Sequence, residues 1–160
     1  MWSFLIKHHS IAKPGEFQVR EYRESDWPTV CQIYDLAKPH EVMASGFKGS
    51  PLPLQKDQRQ IDSFRRQNVF VYETSKGVLG FAGFEDNYIG WLFVSPEYFR
   101  HGIARSLLKH VLTEMSGHPW LYAMKNHFAA VDLYLSEGFS VVEEIQTVHG
   151  FKLRLTKESK

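Results

Sequence analysis

The sequence predicts a single α/β domain: a mixed, mostly antiparallel sheet of about seven strands flanked by four helices. Three observations predict it. Short apolar runs bounded by turn residues recur along the chain, and longer segments repeat apolar residues at helical spacing. The two kinds follow one another in the order β-α-α-β-β-β-α-β-α-β-β. The chain of 160 residues is long enough to bury one core, and 43% hydrophobic with 23% charged residues is a globular balance.

Residues 1–15 form an arm closed by Pro14-Gly15, in which Trp2, Phe4 and Ile6 alternate as a short strand would. Phe17, Val19 and Glu21 alternate as the first strand of the domain. Ser25-Asp26 caps a helix with Pro28 in its first turn, and Trp27, Val30, Cys31, Tyr34 and Ala37 share one face. Lys38–Pro53 holds Pro39, Gly46, Gly49, Pro51 and Pro53 and reads as a loop. Leu54, Ile61 and Phe64 mark a second, mostly charged helix. Strands follow at Val69–Tyr72, Val78–Glu85 and Tyr88–Val94, with hairpin turns at Lys76-Gly77 and Asp86-Asn87. Leu107, Leu108, Val111, Leu112 and Met115 carry a helix from Gly102. Trp120–Met124 is a strand, Phe128–Glu137 a helix, and Val141–Ile145 and Phe151–Leu155 close the chain as an antiparallel pair turning near His149-Gly150.

A net charge of +1 provides no general attraction to nucleic acid or to an anionic membrane, so neither is an expected partner. Cys31 is the one cysteine, which excludes an intrachain disulfide and a thiolate metal site. The eight histidines are scattered, and His8-His9 lacks helical ligand spacing, so no metal is expected. No apolar run approaches the roughly 18 residues of a membrane span. The stretch around Trp2–Ile6 is too short for a signal peptide and runs into Lys7, so a cytoplasmic protein is expected.

The residues that carry chemistry lie after the fourth strand. It ends at Pro96, and Phe99-Arg-His-Gly-Ile-Ala-Arg105 leads directly into a helix. Gly102 and Ala104 let a ligand or another backbone come close. The helix start offers unpaired N–H groups and a positive dipole end, and Arg100, His101 and Arg105 add donors around it. A phosphate cradle and a merely tight strand-to-helix turn are both consistent with those residues.

The segment LFVSPEYFRHGIARSLLKHVL resembles the acyl-CoA-binding motif of the GNAT acetyltransferases, L-x-V-x-P followed by Q/R-x-x-G-x-G/A. Downstream, AVDLYLSEGFSVV is similar to the family's A-x-x-x-Y-x-x-x-G-F, here Ala130, Tyr134, Gly138 and Phe139. The resemblance implies a GNAT domain over residues 16–156, with 157–160 as a tail. It implies acetyl-CoA as cosubstrate, held by Phe93, Val94, Arg100, His101, Gly102, Ile103, Ala104, Arg105 and Asn126. It also implies splayed fourth and fifth strands and Tyr134 as the acid that protonates the departing thiolate. The acceptor would be a primary amine of a small molecule or peptide, entering beside Lys38–Pro53 near Met43, Phe47 and Trp91. Three positions depart from the pattern: Phe99 where the family has Gln or Arg, His127 where it often has Asn, and Gly90 where many members have Glu. The general base is therefore unassigned among Glu85, His40 and Glu41, and a non-catalytic acyl-CoA-binding module is the alternative function. Monomer and homodimer are both open.

Overall fold

The computed structural model describes residues 15–159, in which seven strands make one sheet. These are β1 (Phe17–Glu21), β2 (Asn68–Thr74), β3 (Gly77–Glu85), β4 (Tyr88–Val94), β5 (Trp120–Met124), β6 (Phe139–Thr147) and β7 (Gly150–Lys157), in spatial order β1-β2-β3-β4-β5-β7-β6. The helices are α1 (Trp27–Ala44), α2 (Gln58–Arg66), α3 (Ile103–Glu114) and α4 (Phe128–Ser136). The expected α/β architecture, strand number and element order are what the chain adopts. The strand expected at Trp2–Ile6 lies outside the described residues. No helix among the described residues is long and apolar enough to cross a membrane.

Period-2 alternation along the strands divides the core into two layers. On one face Leu107, Leu108 and Val111 of α3 cover Phe70, Ala82, Leu121 and Leu155. On the other, Val30, Ile33 and Tyr34 of α1 and Phe64 of α2 cover Val71, Phe81, Trp91 and Phe93. Burying each such side chain contributes about 1.5–3 kcal/mol, which is why these two stripes decide the arrangement of the helices.

One boundary differs in kind from the expectation. Lys38 to Ala44 is helix, with Pro39 inside it, and the loop begins only at Ser45. Pro39 removes the N–H that would have bonded the carbonyl of Asp35 and costs the helix stability. Packing offsets that cost: Tyr34 and Ala37 are buried just before it, and the Asp35 carboxylate accepts a 2.8 Å bond from the Leu54 N–H, fastening the next segment. Ser45 then ends the helix, its hydroxyl and its N–H both donating to the carbonyl of Val42.

All neighbouring strands are antiparallel except β4 and β5, which run parallel and share a single aligned pair, Tyr88 with Trp120. There the Trp120 N–H donates to the carbonyl of Asn87 at 2.9 Å. Beyond that point the strands part. A bulge in β4 accompanies the split: Gly83 faces Trp91 and Phe84 faces Ile89, leaving Gly90 as the extra residue. The edge of β4 from Ile89 to Val94 therefore lacks a strand partner on the β5 side.

Candidate active site

At the far end of β4 the chain passes through a 3-10 turn, Pro96–Tyr98, and reverses into α3. Arg100 (φ 63°) and Gly102 (φ 79°) both take left-handed conformations. Alternation of this kind turns successive backbone N–H groups toward one side, as anion-binding nests do. Gly102 caps α3 without any side-chain hydrogen bond, and a Cβ built on it meets no atom within 4 Å. The first turn of α3 thus keeps its N–H groups free beside open space. The turn is held rigidly from behind: Ile103 is buried, and a Cβ on Gly80 of β3 would stand 3.2 Å from its side chain.

The charged residues expected at this turn are divided. Arg100 is exposed and has no ion-pair partner among the described residues. Arg105 instead bonds Glu137 and, at 3.0 Å, the hydroxyl of Ser136 at the end of α4. His101 rests edge-on against the Tyr98 ring at 6.0 Å.

Where β4 and β5 part, a cleft of about 500 Å³ opens through the sheet. Ile89 to Phe93 form one side, Tyr122 to Met124 the other, and α4 contributes Ala130 and Tyr134. Phe93 lines it, although its ring turns toward Tyr34 of α1, while the Val94 side chain packs in the α3 layer. Val94 is not part of the cleft lining. Tyr134 is only 8% exposed and stacks edge-on with Phe139. Burial, followed by the negative potential of Glu41 and then of Tyr88, pushes its phenol well above the ordinary tyrosine value. It is fully protonated at neutral pH.

Asn126 is exposed in the turn after β5 and does not line the cleft; His127 beside it does. Burial lowers the pKa of His127, partly opposed by Glu41, so its imidazole is neutral at neutral pH. The sequence marked this histidine only as a departure from a motif. Its burial comes from packing that local spacing does not encode.

Of the three candidate bases, Glu41 alone lines the cleft, and it is bonded to Lys38 at 2.7 Å. Glu85 lies 3.7 Å from Arg66, and His40 packs on the Phe99 ring. The trio expected near the acceptor is not brought together. Trp91 is buried among Tyr34, Phe64 and Phe81, Met43 lines a separate hollow of about 320 Å³, and Phe47 meets His149 with ring centroids 4.5 Å apart. That last contact joins the loop after α1 to the β6–β7 turn. A larger hollow of about 650 Å³ lies by Glu21, Glu24 and Glu114, away from every motif residue.

Gly90 has a physical explanation. A Cβ there would stand 2.8 Å from the carboxamide nitrogen of Gln67, so the space beside the bulge is already filled by that side chain. The oxygen of Gln67 is buried without a hydrogen-bond partner.

Comparison with known proteins agrees with this geometry. The model of the acetyltransferase (GNAT) domain matches residues 65–141. The peptidyl-lysine N-acetyltransferase YiaC of Escherichia coli is 24% identical over 128 residues, 78% of this chain and 84% of that protein. The ribosomal-protein-S18-alanine N-acetyltransferase of Escherichia coli superposes with a TM-score of 0.72 at 19% identity, covering 91% of this chain and 95% of that one. The yncA structure from Salmonella typhimurium, solved with its cofactor acetyl-CoA, does so with a TM-score of 0.70 at 18% identity, covering 89% and 93%. The family match runs from the end of α2 into β6 and so takes in both walls of the cleft: over residues 65–141 this chain matches the GNAT acetyltransferase domain.

Proposed function

We propose that this protein transfers the acetyl group of acetyl-CoA to a primary amine of a small molecule or peptide. The observation that carries the reading is the parting of β4 and β5 at one residue pair, with Tyr134 in the wall of the cleft so formed. In this reading residues 16–156 are the catalytic domain, which the structure carries one residue further, to Lys157 at the end of β7.

The open turn at Gly102 fits the diphosphate of acetyl-CoA. Free N–H groups of Ile103, Ala104 and Arg105 and the unpaired Arg100 supply donors, with His101 beside them. Acetyl-CoA supplies the activated acyl group. The unpartnered edge of β4, Phe93 and Val94 included, gives its pantetheine arm backbone groups to pair with, as a strand would; Asn126 stands outside the cleft, in the turn after β5. A backbone N–H on that edge stabilises negative charge developing on the acyl oxygen. Tyr134, kept protonated by burial, donates its proton to the departing sulfur. Glu41 and the neutral His127 face the same cleft and lead the amine's proton to solvent.

Purified protein incubated with acetyl-CoA and a panel of amines and lysine peptides should release free thiol with at least one acceptor. Acetyl-CoA should also raise Tm, because a ligand that binds only the native state stabilises it. A Tm shift with no thiol release from any acceptor would favour the non-catalytic acyl-CoA-binding module.

A further inference from the structure

We propose that the acceptor carries its own anionic group, a carboxylate or a phosphate, received between Arg59 of α2 and Lys152 of β7. This rests on the acetyl-transfer reading and adds the charge of the substrate. The cleft is lined by four cationic side chains, Lys38, Arg59, Arg66 and Lys152, against one carboxylate, Glu41. Glu41 and Lys38 neutralise each other at 2.7 Å. Arg66 has a loose partner, Glu85, at 3.7 Å. Arg59 and Lys152 have no carboxylate partner among the described residues, and they approach from different elements of the fold.

Lys152 is not a free surface lysine. Its ammonium sits 4.1 Å from the centre of the Tyr122 ring, a contact that holds the charge over the cleft. The arrangement repeats one step along the same face of β7, where the Arg154 guanidinium lies 4.8 Å from the Trp120 ring. Tyr88, 4.5 Å from Trp120, extends the aromatic floor to β4. The open face of β5 and β7 therefore presents cations at set positions on rings.

Cofactor phosphates do not account for these charges, since the Gly102 turn is not part of this lining. A walled pocket with excess positive charge concentrates anions and disfavours polycations. It also favours the neutral form of a bound amine over its ammonium, and the neutral form is the nucleophile. The cavity of about 500 Å³ must hold the pantetheine end of the cofactor as well, so only a small molecule, or the end of a larger one, fits inside it.

The test compares amines that differ only in the anion: β-alanine against β-alaninamide, and O-phosphoethanolamine against ethanolamine, each with acetyl-CoA and thiol release. In at least one pair the anionic member should have a kcat/KM about tenfold or more above its neutral counterpart, the scale of one charge-assisted contact. The pair that shows it identifies carboxylate or phosphate. Arg59→Gln and Lys152→Gln should each bring the ratio close to one while the Tm shift with acetyl-CoA stays. Equal turnover within both pairs, or a preference that survives both substitutions, overturns the proposal. Should none of the four turn over, Tm of the acetyl-CoA complex with each amine decides instead. A further shift with an anionic member alone, lost in both variants, supports the proposal, and no such difference overturns it. Loss of the acetyl-CoA shift itself would instead sink the acetyl-transfer reading.

Discussion

From β1 to β4 each strand is paired to the next along its length, and Val71, Phe81 and Ala82 are fully buried between two helical layers. Across the cleft, β6 keeps only Phe139 in the core, while Val141 and Val142 of the same strand are 44% and 54% exposed. Strand pairing between the two halves of the sheet is limited to Tyr88 and Trp120. The first half acts as a frame, with apolar residues on both faces. The second presents Tyr122, Lys152 and Tyr134 to the gap and packs its apolar residues on one face only, against α3 and α4. A cleft at the joint costs little core, because the strand that turns away was never buried on both faces.

The largest effect expected from this contrast is on stability. Phe81→Ala empties a site ringed by Phe64, Trp91 and Phe93 and should cost about 3–5 kcal/mol in urea unfolding. Val142→Ala, on the bulge of β6, should change stability by less than about 0.5 kcal/mol. Comparable losses at the two positions would break the distinction between frame and cleft wall.

Next in size is Tyr134→Phe, which removes one hydroxyl from the joint between the halves. Turnover with a good acceptor should fall about 10²-fold, while the Tm shift with acetyl-CoA is retained. If turnover is unchanged, Tyr134 is a core partner of Phe139 and nothing more. Smaller again is Gly102→Asp on the frame side. Its left-handed backbone makes any side chain cost about 1–2 kcal/mol, and the added carboxylate repels phosphate. Folding should survive and the Tm shift disappear; Ala104→Asp should also lose the shift, without the backbone penalty. Retention of the shift in both would move the cofactor away from this turn.

These contrasts also mark how much the sequence revealed. Leu107, Leu108 and Val111 announce α3, and Tyr88–Val94 and Trp120–Met124 announce β4 and β5 with the bounds they adopt, because burial of one stripe is a local, periodic signal. The turn at Gly102 was legible for the same reason, its residues being consecutive. What could not be read depends on contacts far apart in the chain. Glu137, which engages Arg105, is 32 residues away, and the helix through Pro39 depends on packing that outweighs a local penalty. Lys152 finds Tyr122 only through the register of β5 with β7. Gln67 fills the place beside Gly90 from the turn after α2, which no motif spacing predicts.

The smallest effect separates the ion pairs of the two halves. In the frame, Arg20 bonds Glu73 through Nε at 2.9 Å and Nη2 at 3.1 Å, and Asp26 at 2.8 and 2.9 Å, joining β1, β2 and the turn before α1. Beyond the cleft, Lys125 meets Glu144 at 2.7 Å with both side chains nearly half exposed. Hydrogen bonds from Arg20 hold the Glu73 carboxyl below the usual carboxylate range, against the opposing effect of burial. A folded-state pKa below the unfolded one means that protonation favours the unfolded chain. The stabilisation from Glu73 is therefore complete above the ordinary value of 4.5 and is lost as pH falls through the lower folded value. Glu73→Gln should cost about 1 kcal/mol near neutral pH, and its difference from the unsubstituted protein should shrink on acidification below 4.5. Glu144→Gln, screened by solvent, should cost less than about 0.5 kcal/mol. Urea unfolding of the three proteins between about pH 7 and pH 3 makes the comparison. A Glu73→Gln deficit that stays constant across that range would mean that the carboxylate's charge contributes nothing, and that the two halves do not differ in their ion pairs.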